Sequence, residues 1–317
     1  MIRLLETIIM KTLKPALSGQ VADADIRLLR IFRTVVERGG FAAAEVDLNI
    51  SRAAISTAMS DLEQRLSLRL CQRGRSGFSL TEEGREVYAY TLQLLSALEE
   101  FRTQVNSLHA HLKGELNIGI TDNLVTMPQM HITDAIGEIK ARGPEVMINI
   151  RMTPPAEIEV AVLDGRLHLG VVPVIKALPG LNYLALYSET SQLYCSHDHP
   201  LFDQTQVTSK QLATLDVVAA AYAQTDEALA QYQSLRVSAT ATDREGIAFL
   251  ILTGRYLGFL PTHYAERWVK EGQMRAIEPE HWQFSTEFSA ITRKGSRPNL
   301  ILETYLSLLQ HTIQMAS

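Results

Sequence analysis

The chain has 317 residues, 46% hydrophobic and 21% charged, a composition typical of folded globular proteins and long enough for two or three domains. Only two cysteines occur, Cys71 and Cys195, far apart and in no metal-like spacing, which excludes a disulfide-stapled secreted scaffold and suits a reducing cytoplasm. The net charge of −5 hides a division: residues 1–113 hold 15 Lys/Arg and 13 Asp/Glu, the remainder 15 and 22, so the positive excess is local to the N-terminal part.

Residues 1–22 are an extension. Their apolar runs are broken by Glu6 and Lys11, so they make a poor secretory signal and are too short and charged to span a membrane. A frayed tail, or initiation at Met10, explains them better. Ala24–Val36 then reads as an amphipathic helix, with Ile26, Leu29, Ile31, Phe32, Val35 and Val36 apolar and Gly39 and Gly40 ending it. Phe41–Leu48 is a second short helix, and Asn49, Ile50 and Ser51 turn into a third. Ser51 stands where its hydroxyl can cap that helix. Ile55, Met59, Leu62 and Leu66 recur at spacings of four, three and four, which puts them on one buried face. Arg52, Ser56, Thr57 and Ser60 are read as falling on the other face, and Ala53 is counted with them as a DNA contact. The arginine and the hydroxyls among them are donors and acceptors of a size that reaches base edges in a DNA major groove. From Arg65 to Ser79 the chain carries Arg65, Arg69, Arg73 and Arg75 with no acid, and Gly74 and Gly77 flank a turn. A recognition helix followed by a phosphate-gripping two-stranded wing is the reading, with Arg73 and Arg75 on phosphate near the minor groove.

Residues 24–112 resemble the N-terminal region of LysR-type transcriptional regulators. The resemblance rests on Phe32, Gly39 with Phe41 and Ala44, Leu48, Ser51, Ala54, Ser56, Leu62-Glu63, Leu70, Arg73 and the run Leu80-Thr81-Glu82-Glu83-Gly84. Glu45 stands where the family usually has alanine, Arg52 where glutamine is frequent, and Thr57 where arginine is frequent, so the operator sequence does not carry over. Cys71 takes the place of a usual phenylalanine and reads as a small apolar packer.

Val87, Thr91, Leu94, Leu98, Phe101, Val105, Leu108 and Leu112 alternate at spacings of four and three. This is the 3.5-residue repeat of a coiled-coil seam. It predicts a linker helix over 85–113 that dimerises through 85–112, as the resemblance also implies. The alternative is a long helix packed on its own domain.

From residue 114 onward strand and helix patterns alternate, which predicts an α/β domain. Strands are expected at 115–120, 146–152, 167–172, 192–196, 216–220, 256–260 and 284–291. Helices are expected at 127–142, 156–163, 209–215, 245–252, 264–270 and 299–315. Asp164–Val172 and Gly254–Pro261 resemble landmarks of the family's effector domain, which is similar to periplasmic solute-binding proteins. That resemblance implies two lobes, I at about 114–187 and 285–317 and II at about 188–284. The chain would leave lobe I at Val172-Pro173 and Leu186–Thr190 and return near Glu278–Ser289. Open α/β sheets bind ligands beyond the carboxyl ends of strands. Those positions are Thr121, Asp122, Asn123, Thr153, Pro154 and Pro155 in lobe I, and Ala221, Tyr222, Gln224, Thr262 and His263 in lobe II. Thr121, Asn123, Thr153, Pro155, Tyr222 and His263 are taken as effector contacts. Asp122 disfavours a carboxylate ligand, whereas Arg244 and His263 favour one.

The nine histidines form no HExxH pair, and neither a Gly-rich phosphate loop nor a Gly-x-Ser-x-Gly elbow occurs, so no enzyme, metal or cofactor is expected. The whole reads as a three-part α+β chain: a winged helix-turn-helix at 23–84, the linker helix, and a two-lobed α/β domain at 114–317. It is expected to be a regulator whose arrangement on DNA answers to a small effector. Its expected partners are an operator duplex, that effector, further copies of itself as dimer and tetramer, and RNA polymerase. The competing reading is a cytosolic small-molecule sensor whose N-terminal helices make protein contacts only.

Overall fold

A computed structural model describes residues 20–74, 77–107, 112–295 and 299–316. The chain divides into two compact units, one ending at Glu99 and the other beginning at Glu100.

The first unit opens with α1 (Asp23–Glu37), α2 (Phe41–Leu48) and α3 (Arg52–Leu66). α1 stops because Gly39 adopts φ +69°, and the N–H groups of Gly39 and Gly40 turn back onto Val36 and Val35 carbonyls. Asn49, at φ 51°, makes the tight turn into α3. As expected, Ser51 caps α3 by accepting the Ala54 N–H at 3.3 Å. Glu45 adds a second cap that the sequence did not announce, its carboxylate accepting the N–H of Arg52. Ile55, Met59, Leu62 and Leu66 are buried against Ile31, Phe32, Val35 and Ala44.

β1 (Cys71–Gly74) and β2 (Gly77–Leu80) pair antiparallel as the wing, and α4 (Glu82–Ser107) follows. Two side chains lock the wing to the helices. Glu63 accepts the N–H of Leu70 at 2.8 Å and of Cys71 at 3.3 Å. The Thr81 hydroxyl donates to the Arg69 carbonyl at 2.6 Å and caps α4 by accepting the Gly84 N–H at 2.9 Å. Gly84 is obligatory there, because a Cβ would lie 1.9 Å from the Leu70 carbonyl oxygen. Phe32 and Tyr88 meet edge to face, tying α1 to α4.

The seam of α4 is only partly as expected. Val87 and Thr91 pack on the first unit, whereas Leu98, Phe101 and Val105 are exposed, Phe101 at 69%. Leu108 lies outside the described residues. Leu112 departs from the reading: it is not in the described helix but packs on the core of the second unit, against Gly143.

The second unit contains β3 (Gly114–Ile120), α5 (Ile132–Arg142), β4 (Val146–Met152), α6 (Pro155–Leu163), β5 (Leu169–Pro173) and β6 (Leu181–Ser196). It continues with α7 (Ser209–Leu212), β7 (Asp216–Ala220), α8 (Asp226–Tyr232), β8 (Arg236–Ala241), α9 (Arg244–Leu252) and β9 (Leu257–Pro261). α10 (Thr262–Lys270), β10 (Met274–Ala276), β11 (Gln283–Arg293) and α11 (Leu300–Ala316) complete it. One sheet runs in the order β4-β3-β5-β11-β6-β9-β7-β8, with β10 on β6. β3, β4 and β5 are mutually parallel, as are β7, β8 and β9. These are two α/β lobes. The antiparallel pair β6 and β11 passes through both, with a bulge at Leu186 between the Tyr187–Phe288 and Ala185–Ser289 pairs. Each lobe has its own buried apolar clusters. α6 presses on the sheet closely enough that a Cβ on Gly170 would lie 2.5 Å from Ile158.

Several elements differ from expectation. The helix expected over 127–142 begins only at Ile132, after a 3-10 turn at Leu124–Thr126. β6 starts eleven residues before the expected 192–196 strand. β8, α8 and β10 were not foreseen. β8 lies at the sheet edge, and Arg-Val-Ser-Ala-Thr-Ala has no buried face to print an apolar alternation. Cys71 and Cys195 are buried and unbridged. No helix among the described residues is long and apolar enough to cross a membrane.

Candidate nucleic-acid interface and ligand cleft

On α3, packing of the apolar face decides what the rest of the helix can do. With Ile55 and Met59 fully buried, Arg52, Ala53, Thr57 and Ser60 stand exposed and Ser56 is half-buried. The Thr57 and Ser60 hydroxyls donate to the carbonyls of Ala53 and Ser56, at 3.1 and 2.9 Å. Their oxygens keep lone pairs for an outside donor.

One arginine of the acid-free run is structural. Arg65 grips Asp25 of α1 with Nε at 3.0 Å and Nη2 at 3.2 Å. That fork, together with the Ala22 N–H, holds the Asp25 carboxyl below its ordinary range. Arg65 is therefore paired within the unit, on the last turn of α3 and not in the wing, and the phosphate role expected of Arg73 and Arg75 does not depend on it. An absence of acids within a segment says nothing about an acid forty residues away. Arg69 remains exposed at the base of the wing. Arg73 lies on the β1 backbone opposite Phe78. Its side chain and all of Arg75 lie outside the described residues.

In the second unit the carboxyl ends of the parallel strands of both lobes meet at a cleft of about 410 Å³. After β3 come Thr121, Asp122 and Asn123; at the end of β4, Met152, and after it Thr153, Pro154 and Pro155; at the end of β5, Pro173. Lobe II contributes Tyr222 after β7 and Thr242, Asp243, Arg244 and Glu245 from the junction of β8 and α9. Of the residues anticipated as effector contacts, Thr121, Asn123, Thr153, Pro155 and Tyr222 line this one cavity. His263 does not line it. Arg244, expected to favour a carboxylate ligand, lines the cleft, whereas its neighbours Thr242, Asp243 and Glu245 were missed for a traceable reason: the strand-end rule was never applied to β8, which was itself unseen. Asp243, an N-cap whose carboxylate accepts the Gly246 N–H at 2.7 Å, was the available signal.

Behind the cavity lies a buried ionic hub. Glu189, on the crossing strand β6, is 2% exposed and receives Arg244 Nη2 at 2.6 Å and His263 Nε2 at 2.9 Å. Arg244 also reaches into lobe I, its Nη1 donating to the Asp122 carbonyl at 2.7 Å and its backbone N–H to the Asp122 carboxylate at 2.6 Å. The other His263 ring nitrogen lies 2.7 Å from the Thr126 hydroxyl in lobe I. Burial works against the charge of Arg244, but Glu189, Tyr222 and Asp122 together outweigh it and raise its pKa. Asn123 is held at φ 59° with its amide on the Asp122 carboxylate at 2.8 Å. Burial raises the Tyr222 phenol above its usual range. Thr121 is 4% exposed and its Oγ1 has no hydrogen-bond partner among the described residues.

These features belong to sequence families as well as to geometry. Residues 26–85 match the profile of the bacterial regulatory helix-turn-helix proteins of the lysR family, and residues 109–314 match that of the LysR substrate binding domain. The chain is a LysR-family transcriptional regulator. The HTH-type transcriptional activator BauR of Pseudomonas aeruginosa is 57% identical to this regulator over 93% of its length and 97% of BauR. The SDS degradation transcriptional activation protein of a Pseudomonas strain is 31% identical over 56% of this chain and 58% of its own. Among solved structures, full-length CbnR in complex with its target DNA has a TM-score of 0.66 at 17% identity. That match covers 91% of this regulator and 99% of CbnR and shows a shared fold. Family membership decides against the protein-contact sensor. It also fixes the architecture as an N-terminal helix-turn-helix plus an effector-binding domain.

Proposed function

We propose that this regulator reads an operator with Arg52, Ala53, Ser56, Thr57 and Ser60 of α3 in the major groove, and grips phosphate with Arg73 and Arg75. Two subunits join along α4 through the stripe of Leu98, Phe101 and Val105, and pairs of dimers assemble into a tetramer. A small effector enters the cleft, contacts Thr121, Asn123, Thr153, Pro155 and Tyr222, and changes the relative placement of the DNA-binding units. His263 serves the cleft from behind, through Glu189. The protein acts in the cytoplasm by binding alone, without catalysis, and addresses RNA polymerase from its bound position.

The observation that carries this reading is convergence. Five residues placed after strand ends, with Asn123 and the Thr153–Pro155 loop also aligning roughly with the family's effector contacts, are spread from Thr121 to Tyr222 and line one cavity between two lobes. The cleft and α3 belong to separate compact units, so an effector acts on DNA only by favouring one arrangement of the assembly over another. The test is footprinting of the purified full chain on the DNA upstream of its own coding region, with and without metabolite pools, in wild type and Thr153→Trp. The expected result is a pseudo-palindromic footprint that changes with effector in the wild type and stays fixed in the variant. An effector response retained by Thr153→Trp refutes this placement of the site, and the lack of any specific footprint refutes the base-reading face.

A further inference from the structure

Charge bookkeeping around the cleft is lopsided. Asp122, Asp243 and Glu245 line it, and Glu189 lines the smaller compartment that shares Tyr222, Arg244 and Pro173 with it. Against these four carboxylates stand one guanidinium, Arg244, and one imidazole, His263, beside the cavity. Even with His263 protonated the walls are net negative. Arg244 is also committed elsewhere: Glu189 opposes it at 2.6 Å, and its Nη1 is taken by the Asp122 carbonyl. The groups that meet the cleft carboxylates are neutral. Asp122 accepts the Arg244 backbone N–H and the Asn123 amide, and Asp243 accepts the Gly246 N–H and the Thr242 hydroxyl. Glu245 is exposed and forms no ion pair among the described residues.

A second observation points to a ligand in the same place. Thr121 lines the cavity, is only 4% exposed, and its hydroxyl lacks a hydrogen-bond partner among the described residues. A buried hydroxyl without a partner is costly unless something polar meets it. A compact metal ion does not fit the arrangement, since among the described residues no three metal-ligating side chains converge. A larger cation that donates several hydrogen bonds does fit, and Tyr222 gives it an aromatic wall.

We propose that the effector of this regulator is a small molecule carrying a protonated amine, seated among Asp122, Asp243 and Glu245 with a polar atom on Thr121. This rests on the reading of the cleft as the effector site. It reverses the expectation that Arg244 and His263 favour a carboxylate ligand.

The test uses the full-length protein and a matched four-carbon series: 1,4-diaminobutane, 4-aminobutanoate, succinate and 1,4-butanediol. Calorimetry and thermal melts are recorded for each, in wild type, Glu245→Gln, Asp122→Asn and Thr153→Trp. At least one ammonium-bearing compound should bind about tenfold or more tighter than the diol, the size of a charge-assisted hydrogen bond. That advantage should shrink in both carboxylate variants, and Glu245→Gln, on an exposed side chain, should melt like wild type in the absence of ligand. Succinate binding as tightly as the diamine overturns the proposal, as does a series in which no compound outdoes the diol. Thr153→Trp separates the two readings. Succinate binding that this variant blocks leaves the cleft intact and removes only the amine. Binding of any member that the variant leaves unchanged removes the cleft as well.

Discussion

Replacing Glu189 by leucine should strongly destabilise the second unit, and the size of the loss follows from the geometry. Glu189 is 2% exposed and gives one oxygen to Arg244 at 2.6 Å and the other to His263 at 2.9 Å. Arg244 is itself only 10% exposed. Without Glu189 its guanidinium keeps the Asp122 carbonyl but no opposing carboxylate at contact distance. Orphaning one partner of a buried ion pair costs about 3–5 kcal/mol. For a unit of roughly 200 residues, 1 kcal/mol moves the melting temperature by about 2–4 °C, so the fall should be roughly 6–20 °C. Both tryptophans, Trp268 and Trp282, lie in this unit, so tryptophan fluorescence follows its melting without interference from the helix-turn-helix. Protein concentration must be held fixed, since assembly stabilises by mass action. Glu189→Leu combined with Arg244→Leu should recover much of the loss, because no orphan charge remains. A shift below about 2 °C for Glu189→Leu, or a double variant no better than the sum of the singles, would refute the hub as a buried ionic unit.

Three further outcomes follow from other parts of the molecule. Asp25 has a depressed carboxyl pKa, so its pairing with Arg65 stabilises the first unit above the ordinary carboxylate range and is lost as pH falls through the depressed value. Asp25→Asn should therefore speed amide exchange in α1 and α3 at neutral pH, with the gap to wild type closing in acid. Leu98→Asp with Phe101→Asp should lower the sedimenting mass of the native assembly and weaken operator binding with it, because charge in an apolar seam is expensive; unchanged mass would remove the seam. Arg52→Ala should cost roughly 1–3 kcal/mol on the best operator and relax preference at one base pair, read by competition binding at fixed salt.

How much was legible depended on whether the deciding contact was local. The helices of the first unit are set by apolar spacing, capping and glycines, and all three are written in short windows. Even the run Leu80–Gly84 has a local meaning, a cap by Thr81 and a glycine under the Leu70 carbonyl. The pairing of Arg65 was not legible because its partner, Asp25, stands forty positions earlier. In the second unit, strands with a buried alternation were visible and the edge strand β8 was not, which hid Thr242, Asp243 and Glu245. Glu189 was invisible for a different reason. Ser188-Glu189-Thr190 is polar in every position and reads as a connecting segment, yet it forms part of a continuous strand with Glu189 turned inward.

That inward carboxylate shows where a conformational signal can originate. Apolar packing within each lobe is large and has one good arrangement, so the lobes themselves resist deformation. Between them, polar bonds cross: Arg244 to Asp122, and His263 to Thr126, both radiating from Glu189 on a strand common to the two lobes. Such bonds are directional and close in strength to the bonds water would offer, so their net worth is small compared with the apolar cores. Asp122 lines the cleft and is also an acceptor that Arg244 uses, so a ligand of the proposed kind would meet it there. Binding that draws Asp122 toward the ligand therefore competes directly with the bridge to lobe II. Only a ligand with different affinity for the bridged and unbridged arrangements shifts their populations, and a hundredfold preference corresponds to about 2.7 kcal/mol, the scale of one or two of these bonds. The bridge is thus weak enough for a small molecule to move and specific enough to report which arrangement has been chosen.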